Sequence, residues 1–379
     1  MYNPQLSYEE NLKRGPSADW DVSGSFPAIT YSGEPKFSFL GKPLYLPLGI
    51  PAGPLLSSEF VRVALNAGFC MPVYKTVRSS EWKSHPWPNV LDVTDFKTEA
   101  GAARSTATVI PLQKSSLQES LTGARVSITN AFGVPSRSPE AWSNDFQTLP
   151  AEAFGIGRQT VLSFQGSRRE GEPWQSFLDD TERCARLAAH AVVKAGGCLL
   201  EMNVSCPNES GAPIYSDFSA LAQTLKAASV GLREFNQLKL IVKLGLLEPK
   251  RAIEVVELVA KYAHGISAIN TLSAHIVTPQ GKTALGSGAA HGGICGEVIR
   301  PAAIKMVSTL SKARQSLGLS STEFALVGVG GCASADHLQA FLDAGADVVH
   351  AATGAMWNLR LASECATKLG VSYGIRSSN

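Results

Sequence analysis

The chain alternates between short segments that are apolar at consecutive positions and longer segments in which apolar residues recur with a helical period. The apolar segments lie at 46–53, 71–77, 161–166, 198–205, 238–245, 266–273, 324–331 and 347–354. Continuous apolar character over so few residues is typical of strands buried on both faces of a parallel sheet. Eight such strands separated by helices predict an α/β fold, namely a (β/α)8 TIM barrel.

The intervening segments have the period of amphipathic helices. Spacings of three, four and seven place one set of residues on a single apolar stripe: Phe177, Cys184, Leu187, Ala188 and Ala191. Similar patterns occur at 216–234, 249–264, 297–317 and 335–344. An apolar stripe on one face predicts a helix that packs against a core, so the order of strand and helix supports the barrel.

Two connections are too long to be turns. They lie around 78–129 and 274–296, and each follows a predicted strand. In a (β/α)8 barrel these insertions therefore fall at the C-terminal face, where active sites are built. We expect an N-terminal extension over 1–43 and a single barrel with these insertions over 44–379.

Composition narrows the class of protein. The chain has 34 Lys and Arg against 32 Asp and Glu, a formal charge of +2, and 44% of its residues are hydrophobic. This excludes a protein that coats nucleic acid, and it excludes a disordered chain. We expect neither nucleic acid nor a membrane as a partner, because no apolar run approaches the roughly 18 residues of a membrane span. The first 14 residues are polar, so no signal peptide is indicated and a cytoplasmic location is expected.

Cysteine and histidine usage argues against a disulfide framework and a metal site. The seven cysteines lie at irregular spacings without a Cys-x-x-Cys pair, and the histidines lack a metal-ligand spacing. The cysteines are therefore interpreted as reduced thiols, and no metal is expected. The chain also lacks a Gly-x-Gly-x-x-Gly dinucleotide motif and a phosphate-binding P-loop.

The segment Asn203-Val-Ser-Cys-Pro-Asn208, at the end of the fourth predicted strand, has the clearest chemistry. Each carboxamide offers a donor and an acceptor, which suits an amide or imide ligand. The thiol of Cys206 is a candidate base or nucleophile. In the alternative interpretation these residues only form a turn beside a buried cysteine.

The same segment is similar to the Asn-x-Ser-Cys/Ser-Pro-Asn motif of the FMN-dependent dihydroorotate dehydrogenases, to which the dihydropyrimidine dehydrogenases are related. Cysteine at 206 resembles the soluble branch of that family. The resemblance implies FMN as cofactor, a homodimer, and oxidation of dihydroorotate to orotate in de novo pyrimidine biosynthesis. It also implies that Cys206 takes a proton from C5 while a hydride passes from C6 to N5 of FMN.

Further strand ends resemble the family's site. The resemblance implies a catalytic role for Cys206 and Lys75. It implies substrate binding by Asn130, Asn203, Asn208, Asn270 and Thr271. It implies cofactor binding by Ala52, Gly53, Lys75, Thr76, Lys243, Gly292, Gly293, Gly330, Gly331, Ala352 and Thr353. In the alternative interpretation the lysines reach solvent and the asparagines are turn residues.

Three other functions stay open at the level of the sequence. One is an FMN enzyme of the same superfamily with another dihydropyrimidine or ring substrate. The second is a flavin-free phosphate-binding barrel, an aldolase or isomerase with Lys243 as a Schiff-base lysine. The third is a non-catalytic subunit of a larger complex. For the dehydrogenase itself, the electron acceptor is open between fumarate, a quinone and NAD reached through a partner subunit.

Overall fold

The computed structural model of the chain describes residues 1–20, 26, 28–98, 105–115, 117, 126–205 and 213–375. Its strands are β1 (Ile29–Tyr31), β2 (Phe37–Phe39), β3 (Lys42–Leu44), β4 (Leu48–Ile50), β5 (Met71–Val77), β6 (Asp92–Thr98), β7 (Ser105–Ile110), β8 (Ser127–Asn130), β9 (Val161–Phe164), β10 (Leu199–Asn203), β11 (Lys239–Leu244), β12 (Gly265–Ala268), β13 (Leu272–Val277), β14 (His291–Gly296), β15 (Ala325–Val329), β16 (Val348–His350) and β17 (Tyr373–Ile375). Its α-helices are α1 (Tyr8–Arg14), α2 (Ser58–Asn66), α3 (Pro139–Phe146), α4 (Trp174–Lys194), α5 (Phe218–Leu232), α6 (Ala252–Ala260), α7 (Arg300–Ser316), α8 (Ala335–Asp343), α9 (Thr353–Trp357) and α10 (Leu361–Lys368). Short 3₁₀ helices lie at Ala151–Phe154, Ile214–Ser216, Pro249–Arg251 and Glu297–Ile299.

Eight parallel strands close into the main barrel. They follow the order β4-β5-β9-β10-β11-β12-β15-β16, and β16 pairs with β4 to complete the ring. Seven of these strands lie inside an apolar segment of the sequence, and β12 begins one residue before the segment at 266–273, so the predicted (β/α)8 barrel is confirmed. Every residue of β5 and β10 is buried. This agrees with strands covered on both faces, by helices outside and by side chains inside.

The helices also follow the predicted pattern. The apolar stripe between 177 and 191 lies on α4, where Phe177, Cys184 and Ala188 are buried. The predicted helices at 216–234, 249–264, 297–317 and 335–344 contain α5, α6, α7 and α8. Helix α5 begins where the side chain of Asp217 accepts a hydrogen bond of 3.0 Å from the Ala220 amide. An aspartate at this position satisfies an amide that has no partner within the helix.

The two insertions combine into a second, smaller barrel that the sequence pattern does not predict. Strands β13, β14, β8, β6 and β7 close this five-stranded barrel. Strand β7 of the first insertion pairs with β13, and β8 pairs with β14 in a register that places Asn130 opposite Gly293. The 292–296 segment is therefore a strand instead of the expected loop. Asn130 likewise ends a strand of the small barrel and not one of the main barrel.

The N-terminal region packs against the main barrel. Strand β1 pairs antiparallel with β17, and β2 with β3. Helix α1 begins with a capping box, in which the Ser7 amide donates to Glu10 at 2.8 Å and the Glu10 amide donates to Ser7 Oγ at 3.2 Å. In the part of the chain that the structure describes, no helix has the length and apolar character needed to cross a membrane.

Candidate active site

A cavity of about 640 Å³ lies at the C-terminal ends of the main-barrel strands and is bordered by the small barrel. It is lined by every predicted site residue that the structure describes: Ala52, Gly53, Lys75, Thr76, Asn130, Asn203, Lys243, Asn270, Thr271, Gly292, Gly293, Gly330, Gly331, Ala352 and Thr353. Cys206 and Asn208 lie outside the described residues. Ser205 and Pro213, on either side of them, line the same cavity.

The charge of the cavity wall has one sign. Lys75, Arg78, Arg168 and Lys243 line it, and among the described lining residues there is no aspartate or glutamate. A cleft lined by charges of one sign concentrates ligands of the opposite sign. The cavity is therefore suited to anionic ligands.

Both predicted lysines are buried at the ends of their strands. Lys75 on β5 is 8% exposed and Lys243 on β11 is 4% exposed, so neither side chain extends into solvent. Lys243 lies in register with Asn203 on β10 and with Ser267 on β12. Its ammonium makes no hydrogen bond or ion pair with any described residue. Burial of a cation is costly without a partner, so an anionic or electron-rich ligand in the cavity would stabilise this lysine.

The asparagines divide into two kinds. The Asn203 side chain donates to Gln165 Oε1 at 3.0 Å and accepts from the amide and hydroxyl of Ser205 at 3.2 and 2.5 Å. It therefore holds the turn that leads from β10 toward residue 206. The side chains of Asn130 and Asn270 make no hydrogen bond with a described residue. Their carboxamides are available to a ligand as donor and acceptor.

Two glycines allow close approaches between the walls of the cavity. A Cβ atom at Gly293 would collide with the hydroxyl of Thr271 and lie 3.1 Å from the carbonyl oxygen of Asn130. Gly331 has a φ of +74°, and a Cβ atom there would lie 2.6 Å from the carbonyl oxygen of Gly296. Only glycine tolerates both conditions. Backbone at this edge of the cavity is consequently exposed to a ligand next to Thr353, the first residue of α9.

Thr76 and Thr353 differ in how their hydroxyl groups are used. Thr76 Oγ1 lies 3.0 Å from Ser163 Oγ, so this hydroxyl is engaged inside the barrel. Thr353 Oγ1 donates to the sulfur of Cys295 at 3.6 Å. Burial raises the pKa of the Cys295 thiol to about 11. Cys295 is thus protonated at neutral pH, a form in which a thiol does not accept a proton.

Several lining residues were missed by the sequence prediction. They lie in the N-terminal extension, in loops and at the first residue of β14: Tyr2, Tyr8, Arg78, Trp82, His85, Phe132, Arg168 and His291. These segments lack a periodic apolar pattern, so nothing in the sequence predicted that they face the cavity. Their aromatic and cationic content in otherwise polar segments was the available signal.

His350, two residues before Ala352, is a buried ionisable group without a hydrogen bond. Its side chain is 1% exposed, and neither ring nitrogen has a partner among the described residues. Burial, with a smaller contribution from the charge of Lys243, lowers the pKa of His350 to about 3. The ring is therefore neutral in the folded protein at any working pH.

This histidine predicts a pH dependence of stability. Below pH 6.5 the unfolded chain binds a proton at residue 350 that the native state does not bind until about pH 3. The free energy of unfolding therefore falls as the pH drops through this window, by about 2 kcal/mol between pH 7.5 and 5.0. We expect His350→Leu to remove this loss, as measured by urea unfolding of both proteins at pH 7.5 and 5.0. His275→Leu, at an exposed position, is the control, and equal pH dependence in wild type and His350→Leu would contradict the prediction.

Comparison with known proteins places this chain in a described family. The family model described as Dihydroorotate dehydrogenase matches residues 130–369. The chain is 32% identical over 374 residues to the dihydroorotate dehydrogenase of Dictyostelium discoideum, covering 94% of each chain. It is 29% identical to the catalytic subunit of dihydroorotate dehydrogenase B (NAD(+)) of Desulforudis audaxviator, over 68% of this chain and 77% of the relative. The subunit of the same name from Thermodesulfovibrio yellowstonii is 30% identical over 47% of this chain and 50% of the relative.

Proposed function

Because the chain belongs to the dihydroorotate dehydrogenase family, we propose that its cavity oxidises dihydroorotate to orotate in pyrimidine biosynthesis with FMN as cofactor. One observation carries the proposal: two buried lysines and the described asparagines line one cavity whose described wall has no carboxylate. Dihydroorotate and FMN are both anions, and both have ring carbonyl and N–H groups that carboxamides can bind. A cavity of this composition matches both.

The described residues offer what FMN requires. Gly330, Gly331, Ala352 and Thr353 would hold the phosphate through backbone N–H groups and one hydroxyl, as loops at this end of many barrels do. The ring would lie against Ala52 and Gly53, against Lys75 and Thr76, along Gly292 and Gly293, and next to Lys243. When bound, FMN supplies an acceptor for the hydride that leaves C6 of dihydroorotate.

The chain's own residues hold the substrate and move its proton. Asn130 and Asn270, with Thr271, would bind the ring and its carboxylate and so fix the reacting atoms in place. The sulfur of Cys206 would accept the proton from C5, and Asn203 would hold the turn that carries this cysteine. Lys243 would stabilise negative charge that develops near it, without reorganisation, because it is already buried and fixed.

Colour and its loss test the proposal. The purified protein is expected to be yellow, and anaerobic addition of dihydroorotate should bleach it while orotate forms. Dihydrouracil, which lacks the carboxylate, should leave the colour unchanged. A yellow protein that only dihydrouracil bleaches would favour another ring substrate. A colourless protein would overturn the proposal in favour of a flavin-free barrel or a non-catalytic subunit.

Asn270→Ala is expected to weaken binding of substrate and product without loss of FMN. Its carboxamide is free of other described residues, so its removal costs a ligand carbonyl or carboxylate one hydrogen bond. We expect the Kd for orotate, titrated by the change in flavin absorbance, to rise by about tenfold or more. Asn236→Ala, in an exposed turn, is the matched control. Loss of bound flavin would instead give Asn270 a structural role, and an unchanged orotate Kd in a flavin-loaded variant would remove it from the substrate site.

Assembly, location and the final electron acceptor stay predictions from the resemblance. A homodimer in the cytoplasm is what we expect. The names of the two bacterial relatives include NAD(+), whereas the name of the Dictyostelium relative includes no acceptor. Fumarate, a quinone and a partner subunit linked to NAD therefore stay the candidates for this chain.

A further inference from the structure

Two tyrosines of the N-terminal extension form part of the cavity wall. Tyr2 and Tyr8 line the cavity and are 3% and 6% exposed. Both rings meet the ring of Phe132 edge to face, with centroid distances of 5.8 and 6.2 Å. Phe132 lines the cavity as well and follows the predicted substrate residue Asn130 by two positions. We call Tyr2, Tyr8 and Phe132 the aromatic wall.

The backbone that carries these tyrosines is fixed by side chains from distant parts of the chain. The indole of Trp357, at the end of α9, donates to the carbonyl of Tyr2 at 3.2 Å. The indole of Trp87, in the first insertion, donates to the carbonyl of Pro4 at 3.0 Å. The segment is thus attached both to the helix that begins at Thr353 and to the insertion.

Asn11 fixes the same segment from within. Its side chain is 2% exposed and donates to the carbonyls of Asn3 and Ser7, each at 2.9 Å. It also accepts a hydrogen bond of 2.8 Å from the Asn3 amide. A buried carboxamide with this many partners holds the turn between Tyr2 and Tyr8 in one conformation. The two rings therefore belong to a built wall and not to a loose terminal segment.

We propose that the aromatic wall shields the flavin bound in this cavity from solvent and from small external molecules. This inference rests on the function proposed above. Aromatic side chains cover large apolar areas with a fixed shape, whereas the rest of the cavity carries four cations that attract water. Exclusion of water strengthens the electrostatic interactions of those cations with the ligands. The N-terminal extension, which contributes none of the groups that bind or react, thereby acts on the site through its rings.

At Tyr8 the ring, and not the hydroxyl group, is the shielding group. The hydroxyl of Tyr8 makes no hydrogen bond with a described residue, and burial raises the pKa of Tyr8 to about 12. It is therefore neutral at working pH. Tyr8→Phe keeps the ring and removes only the hydroxyl, which makes it the matched control for removal of the ring.

Collisional quenching of the bound flavin tests the wall. Acrylamide is the probe because it is neutral and the cationic cavity does not attract it. In the flavin-loaded Tyr2→Ala/Tyr8→Ala protein we expect the Stern–Volmer constant to rise by about threefold or more over wild type, because solvent reaches the ring. The Stern–Volmer constant of Tyr8→Phe should equal that of wild type. Wild-type quenching in the double alanine variant would overturn the proposal.

A second pair of variants covers the case in which the double alanine protein does not fold or does not retain flavin. Tyr2→Leu and Tyr8→Leu keep an apolar side chain, but leucine covers less area of the wall than a tyrosine ring does. Each single variant should raise the Stern–Volmer constant by a smaller factor than the double alanine variant. An unchanged constant in both single variants would overturn the proposal that the wall shields the flavin. A colourless wild-type protein would overturn the proposed function itself. A yellow protein whose variants have the same Stern–Volmer constant as wild type would overturn only the shielding proposal.

Discussion

Replacement of Cys206 by alanine is expected to slow the reduction of bound FMN by dihydroorotate about 100-fold to 10,000-fold, the usual effect of a positioned base. The resemblance assigns the C5 proton to this thiol, and the thiolate is the form that accepts a proton. Cys206 lies outside the described residues. The Asn203 and Ser205 hydrogen bonds nevertheless hold the chain that leads to it at the cavity.

The matched control for this prediction is Cys295→Ala. Cys295 lines the same cavity, but burial raises the pKa of its thiol to about 11, so it stays protonated. Anaerobic single-turnover mixing with dihydroorotate measures the reduction rate of both variants directly. The expected pattern is a slow Cys206→Ala protein and a Cys295→Ala protein near the wild-type rate. The reverse pattern would move the role of base to Cys295, and two fast variants would remove it from both thiols.

The main barrel could be predicted because its strands are buried on both faces and are therefore apolar at consecutive positions. The exact ends of the strands could not be predicted from the sequence. The first predicted strand, 46–53, contains only the three residues Leu48–Ile50 as β4. Pro47 and Pro51 flank it and have no N–H to donate to the neighbouring strands. Backbone chemistry, and not hydrophobicity, sets the length of this strand.

The small barrel could not be predicted, because its pairings join segments that are far apart along the chain. Strand β7 pairs with β13, which puts Thr106 opposite His275. Local sequence carries little information about such a partner, and the preference of a short strand depends on its context. The serines and threonines of β7 are typical of a loop as well as of a half-buried strand.

For the candidate site, the sequence located residues but not the use of each side chain. The family resemblance places both Asn203 and Asn270 at strand ends. In the structure, Ser205 and Gln165 occupy the first carboxamide, whereas the second is free of described residues. Such a difference depends on neighbours that lie next to one another only after folding. The aromatic wall has the same origin, since Tyr2 and Tyr8 approach Phe132 across more than 100 residues of chain.

Replacement of Lys243 by methionine is expected to slow flavin reduction about 100-fold to 1,000-fold, the usual cost of removing one fixed group that stabilises developing charge. Methionine keeps an unbranched side chain in the barrel and removes only the cation. Lys243 is 4% exposed, so water cannot replace its charge. The same loss should lower the midpoint potential of bound FMN, because the negative charge that reduction adds is no longer balanced.

Lys239→Met separates this electrostatic effect from a general effect on strand β11. Lys239 begins the same strand and lies outside the cavity wall, so its loss should leave both the rate and the potential near wild type. Anaerobic mixing gives the reduction rate, and reductive titration against a reference dye gives the potential. A Lys243→Met protein with unchanged rate and potential would show that the buried charge serves only the fold. A colourless variant that regains the wild-type rate at saturating FMN would assign the lysine to cofactor binding, since the loss of a group that stabilises developing charge lowers the rate even when the site is full.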